Sequence, residues 1–174
     1  GLAPNGSILQ THQGRLLTND KTRPYRIHYS APFDPETWGG YGDSGAIDID
    51  VGDDDPEGIT AIFPTFQGDL YVAKKTKLYR IRGLIPDYTI EKLSDSIGAI
   101  SNEAVTAVGQ SDIIWVSEKG IHSLVTTDKY GDVEEAFLSK DIQASFNGSG
   151  TFTWSQSRKK YIKARYVPNN NLVF

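Results

Sequence analysis

The sequence contains no cysteine and no methionine among its 174 residues. Without a thiol there is no disulfide framework, no thiolate metal site and no cysteine nucleophile. Long apolar runs are missing as well. The longest is Ile113-Ile114-Trp115-Val116, far short of the ~18 residues a membrane span requires, so no membrane insertion is expected. No secretory signal stands at the start. Excess positive charge is also lacking: 18 basic against 22 acidic residues leave a net charge of −4, which argues against a general nucleic-acid binder. What is present is a globular composition, 38% hydrophobic and 23% charged, with 17 glycines and eight prolines to make frequent turns. The chain opens at Gly1 without an initiator, so it is expected to be trimmed or to be a piece of a longer polypeptide.

An internal repeat organises the chain. Residues 8–27 laid over 62–81 without a gap agree at ten of twenty positions, including Ile8/Ile62, Thr11/Thr65, Gln13/Gln67, Gly14/Gly68, Arg26/Arg80 and Ile27/Ile81. Chance gives about one such identity, so the repeat is real. A third copy keeps the apolar placement, with Asp69 through Ile81 matching Asp112 through Leu124. A fourth is expected to begin at Thr151-Phe152-Thr153-Trp154.

The unit is not helical. Leu70, Tyr71 and Val72 are separated from Leu78, Tyr79 and Ile81 by the polar turn Lys74-Lys75-Thr76-Lys77, and Ile113–Val116 from Ile121–Leu124 by Ser117-Glu118-Lys119-Gly120. These are hairpins rich in β-branched and aromatic residues, and Gly120 suits a positive-φ position. An apolar strand precedes each (Ile59–Ile62, Val105–Val108) and another follows (Thr89–Leu93, Val133–Leu138). Ala46–Val51 takes that last place in the first unit, with strict alternation placing Ile47, Ile49 and Val51 inward. The predicted class is therefore all-β, built of antiparallel four-stranded blades. It reads as a partial β-propeller of about three and a half blades, around 1–51, 59–93, 105–138 and 151–174. A short helix fits only around Asp141–Ala144. The last hairpin, Lys160–Tyr166 turning at Pro168–Asn171 into Leu172–Phe174, stops mid-blade, and the polypeptide is expected to continue.

Several motifs invite a chemical reading. Gly42-Asp43-Ser44-Gly45 looks like a serine-protease nucleophile loop. His12, only 32 residues upstream, is too close for the intervening fold such enzymes need, and a glycine-rich turn explains the motif. Residues 41–58 hold seven acids and no base, among them Asp53, Asp54 and Asp55. Calcium wants 6–8 oxygen ligands, but EF-hand spacing is absent, and a solvated strand face followed by a turn accounts for the cluster better. His12, His28 and His122 share no metal-ligand spacing, and His122 takes the repeat position of Tyr79, where packing explains it. No glycine loop ends in Gly-Lys-Ser/Thr. No catalytic, cofactor or metal residues are expected.

Arg158, Lys159, Lys160, Lys163 and Arg165 are five bases without an acid. Along a strand, Lys159, Tyr161 and Lys163 would share one face. A charged strand near an edge is most simply a solvated guard against misassembly. Contact with an acidic partner or DNA phosphates is the alternative, and a third reading has the segment complement Asp53, Asp54 and Asp55 on another copy.

Residues 25–150 resemble virion proteins of tailed bacteriophages at the head-to-tail connector and tail tip, such as tail nozzles and DNA-stabilising neck proteins. The resemblance runs through Tyr25-Arg26-Ile27-His28-Tyr29-Ser30, Pro35-Glu36-Thr37-Trp38, Ile59–Ile62, Gly68–Lys74 and Leu78–Ile81. It continues through Ile97–Ser101, Ala104-Val105, Ile114–Ser117 and Gly120–Leu124. It implies a non-enzymatic propeller domain without cofactor in a larger subunit of the virion neck or tail. Such subunits form a ring, commonly six-fold, around the DNA channel. The implied partners are further copies of the chain, other neck and tail proteins and, passively, packaged DNA. A carbohydrate-binding or sialidase-like propeller in host recognition is the other reading. The turn motif of that class has no counterpart, since Ser145-Phe146-Asn147 through Trp154 has the wrong spacing.

Overall fold

Gln13 and Gly14 both adopt left-handed backbone (φ 50° and 70°), and so do their repeat counterparts Gln67 and Gly68 (φ 51° and 86°). Two consecutive left-handed residues make the tight hairpin turn whose twist matches that of the flanking strands. In a computed structural model, which describes residues 2–52, 58–130, 137–146, 155–159, 161–168 and 172–173, each of these turns opens a four-stranded sheet. The first runs β1 (Leu9–His12), β2 (Arg15–Asn19), β3 (Arg26–Tyr29) and β4 (Gly45–Asp48). The second runs β5 (Ile59–Ile62), β6 (Leu70–Lys74), β7 (Leu78–Leu84) and β8 (Asp87–Ser94). Both are antiparallel meanders in chain order.

A third sheet has the spatial order β11-β10-β9, with β9 (Val105–Val108), β10 (Asp112–Val116) and β11 (Ile121–Ser123). Its central hairpin repeats the second sheet's. Trp115 faces His122 across the ladder where Val72 faces Tyr79. The expected partner Val133–Leu138 lies outside the described residues except at its end. There Leu138 N–H donates to Ile121 O, and Ser139 Oγ accepts from Ile121 N–H, so Leu138 and Ser139 lie beside β11.

The core is built between sheets. Alternation along the second sheet sends Leu70, Val72, Tyr79 and Ile81 toward Leu17, Ile27, Ile47 and Ile49 of the first. Tyr71, Ala73 and Leu78 go the other way, toward Ile113 and Trp115 of the third. All five residues of β6 are consequently buried. Each large apolar side chain withdrawn this way stabilises by about 1.5–3 kcal/mol. The all-β class and the antiparallel four-stranded units agree with the sequence reading. The sheets stack in an open arrangement and do not close into a ring within the described residues.

Four local expectations are corrected. Val51 is 61% exposed, because the inward alternation ends at Ile49 and Asp50 turns the chain with φ 47°. In the third sheet the left-handed position is Gly109 (φ 57°), not Gly120. The Ser117–Gly120 turn is closed instead by Ser117 Oγ, which accepts the N–H groups of Lys119 and Gly120. Leu124 does not end a strand but starts helix α1 (Leu124–Tyr130). Ser123 Oγ accepts Thr126 N–H at 3.3 Å there, as a cap does. Among its described residues the basic segment is not a strand: it begins in a helical turn, α3 (Gln156–Lys159), and of those residues only Tyr166–Val167 (β12) pairs, with Leu172–Val173 (β13). The helix expected near Asp141 is present as α2 (Gln143–Phe146), preceded by a 3-10 turn. The fourth repeat start, Thr151–Trp154, lies outside the described residues.

Candidate partner-contact surface

The basic segment was the leading candidate for a partner contact, and the structure divides it. Lys159 is 2% exposed. Its Nζ donates to Phe146 O at 3.1 Å and Glu118 O at 3.0 Å, with Glu118 Oε2 at 3.5 Å. A lysine so placed meets no partner; it ties the C-terminal segment to the β10–β11 turn, because a buried ammonium must find acceptors. Lys163 pairs with Glu103 at 2.8 Å on the surface, and Ala164 N–H donates to Glu103 O. Arg158 and Arg165 stand exposed. Lys160 lies outside the described residues. Among the described residues the patch thus reduces to two exposed arginines beside a neutralised lysine.

Of the acidic stretch, Asp53, Asp54, Asp55 and Glu57 lie outside the described residues. Two of the acids before them, Asp48 and Asp50, are engaged. Asp48 takes a two-pronged bond from Arg26 at 2.5 and 2.6 Å, which holds its carboxyl below the usual range. Asp50 accepts Tyr79 Oη–H at 2.8 Å and approaches Lys92 at 3.6 Å, linking the first sheet to the second. Among the described residues no group of three or more histidines and carboxylates is placed to hold a metal ion, and no helix is long and apolar enough to cross a membrane.

The histidines sort by surroundings. His28 sits 2.9 Å from Asp20. Burial raises the Asp20 carboxyl, but the bond to His28 and the N–H groups of Thr22 and Arg23 outweigh it and hold the group at about 2. His12 Nδ1 meets Thr65 Oγ1 at 2.8 Å across the first two sheets, and burial lowers its pKa. His122 is 1% exposed, stacked on Trp115 and edge-on to Phe137, with Nε2 2.6 Å from Ser117 Oγ. Burial, assisted by Lys119, lowers its pKa to about 3. This Ser–His pair looks like half of a nucleophile dyad. Both side chains are sealed in the core, however, and among the described residues His122 Nδ1 has no hydrogen-bond partner to orient it, so the pair lacks the third group such a dyad relies on. Ser44, in the protease-like loop, donates to Tyr41 O at 2.6 Å and is a turn residue.

Sequence reasoning missed the surface around the Gln67 turn. A cleft of about 380 Å³ opens there, lined by Gln67, Asp69, Tyr71, Arg80, Arg82 and Asp128, with Leu124 and Val125. Arg80 is its anchor. Its guanidinium binds Glu91 Oε2 at 2.6 and 3.1 Å and Asp128 Oδ1 at 3.0 Å, joining β8 to α1. A second cleft of about 390 Å³ lies on the other side of the turn, against Gly109, Gln110 and Asp112. The available signal was the Gln-Gly identity inside the repeat, which marks a backbone turn rather than a side-chain motif. No protein-family model matches the chain, and no match was found among curated proteins.

Proposed function

We propose that the chain is part of the propeller wall of a tailed-phage neck or tail ring, a structural, non-enzymatic element surrounding the DNA channel. The supporting observation is the stacking of successive four-stranded sheets, in which the second sheet buries both faces and each sheet donates a core to the next. Propeller blades also pack face to face in this way, each unit depending on its neighbour, and this likeness supports the reading. Residues carrying the phage resemblance fall in this packing: Ile27, Ile59 and Ile62, Leu70 and Val72, Ile97 and Ala99, Trp115 and Leu124 are all buried in it. The ring would be formed with further copies of the chain and with other neck and tail proteins. Among the described residues of the basic segment, Arg158 and Arg165 are the bases left for DNA or an acidic neighbour.

A second reading, a carbohydrate-binding propeller in host recognition, draws on Phe33 and Tyr41, which are 89% and 65% exposed on the loop between β3 and β4. Exposed aromatic rings offer stacking faces. Electron microscopy of the native assembly tests between the two. The structural reading expects an axial ring, and the second expects an isolated monomer that binds specific glycans on an array.

A further inference from the structure

The hydroxyl of Ser117 is fully used. Its Oγ accepts Lys119 N–H at 2.9 Å and Gly120 N–H at 3.2 Å, and lies 2.6 Å from His122 Nε2. A hydroxyl has two lone pairs and one proton to share. The two N–H groups take the lone pairs, so the proton goes to Nε2 and the imidazole hydrogen sits on Nδ1. Among the described residues that buried Nδ1 has no hydrogen-bond partner. His122 therefore fits this turn as a neutral acceptor.

A second proton must go on Nε2. There it points at an oxygen whose lone pairs are both taken, so Ser117 has to let go of a turn N–H or swing off the ring. Either change opens the Ser117–Gly120 turn, which is otherwise closed by Ser117 N–H donating to Gly120 O at 2.8 Å. Trp115 of β10 and Phe137 face the imidazole with rings alone, and Lys119 of the turn repels the proton. The acids of the surrounding elements are engaged elsewhere. Glu118 is turned to Lys159, Asp112 on β10 accepts Ser123 Oγ–H, and Asp128 on α1 binds Arg80. Lys129 of α1 and Lys140, beyond Phe137, are exposed.

This turn and the strand after it fasten two later segments. Glu118 O accepts Lys159 Nζ, which holds α3. Ile121 exchanges bonds with Leu138 and Ser139. The core shared by the first two sheets contains none of these residues.

We propose that Ser117 and His122 form a proton-operated latch. Neutral His122 keeps the turn closed; protonated His122 opens it and releases residues 137–146 and the C-terminal segment, while the first two sheets stay packed. The group is neutral in the closed state, so the latch is fully shut above pH ~6.5 and loosens as pH falls below that.

Two measurements on the intact chain test this. Imidazole nitrogen NMR shifts at neutral pH read the tautomer, and should show His122 protonated at Nδ1 and bare at Nε2. A proton on Nε2 overturns the hydrogen-bond account. Hydrogen exchange, corrected for intrinsic rates, reads the opening. From about pH 6.5 to about pH 4.5, protection at Ile121, Leu138 and Ala164 should fall about 100-fold, tenfold per pH unit for one proton taken up. His122→Phe keeps a ring between Trp115 and Phe137 and should abolish that fall. An equal fall in His122→Phe overturns the latch. So does a loss of protection in β2 and β3 of the same size at the same pH, because the opening would then be global. The tautomer and the exchange pattern of the parent chain decide the matter even if the variant folds poorly.

Discussion

Arg26 and Arg80 stand 54 residues apart and occupy one position in two successive sheets: each lies on the third strand, directly across the ladder from an acid on the fourth. Arg26 faces Asp48 and Arg80 faces Glu91. The repeat preserves the arginine while the acid changes type, so it is the cross-strand pair that is kept. Arg80 has one further role, its bond to Asp128 on α1.

The difference gives a first prediction. Arg26→Ala removes one partly exposed pair and should cost little, about 0.2–1 kcal/mol. Arg80→Ala also unties α1 and should cost more than Arg26→Ala. Arg80→Lys should not restore the loss, because a single ammonium does not span both acids as the guanidinium fork does. Urea denaturation of the three variants measures this, and equal midpoints for Arg26→Ala and Arg80→Ala would contradict the tie to α1.

Lys159 yields a second. Lys159→Ala removes the ammonium that donates to the buried Phe146 O and the partly buried Glu118 O and should destabilise by about 2–3 kcal/mol. The loss should be local. Hydrogen exchange should rise around Phe146, Glu118 and residues 161–166 before it rises in the first two sheets. Unchanged exchange at the C-terminal segment would show that Lys159 is not its tether.

The third concerns pH. His122 is neutral in the fold, with its pKa lowered to about 3; in the unfolded chain it takes a proton near its ordinary value of 6.5. Its contribution is therefore complete above pH 6.5 and is lost progressively as pH falls toward 3, at about 1.4 kcal/mol per pH unit. His122→Phe keeps an aromatic ring on Trp115 and Phe137 and should flatten the decline between pH 6.5 and 4 by about one proton. His12, also lowered by burial, and toward the acid end the depressed carboxyls of Asp20 and Asp48 supply the slope that remains. Stability curves of equal steepness for the two proteins would refute this assignment.

The fourth separates the two glutamines of the repeat. Gln13→Ala breaks two bonds to the β7–β8 hairpin, from Nε2 to Gly83 O and from Ile85 N–H to Oε1, and should cost about 1–2 kcal/mol. Gln67→Ala should lie within about 0.5 kcal/mol of the parent. Thermal denaturation of the pair decides, with equal losses as the contrary result.

Much of this architecture could be read from the chain. The period-two pattern of Ile47 and Ile49, the hairpins at Lys74–Lys77 and Ser117–Gly120, and the equivalence of Tyr79 with His122 all follow from residue type and spacing. What could not be read depended on neighbours distant in sequence. Lys159 looks like any surface base until Phe146 and Glu118 close over it. Leu124 continues an apolar strand pattern, and only the competing cap from Ser123 turns it into a helix. Gln67 repeats Gln13 letter for letter, yet its surroundings differ because the third unit, not the second, supplies its neighbour. Repeat identity thus predicts a local turn well and its partner poorly.

The central claim is that the stacked sheets are blades in the wall of a ring. Cryo-electron microscopy of the native particle or assembly measures that most directly. The account predicts an axial ring whose subunit density is filled by these sheets side by side around a DNA-wide channel. A dispersed monomer with no ring at any concentration, joined to specific glycan binding through the loop of Phe33 and Tyr41, would contradict it.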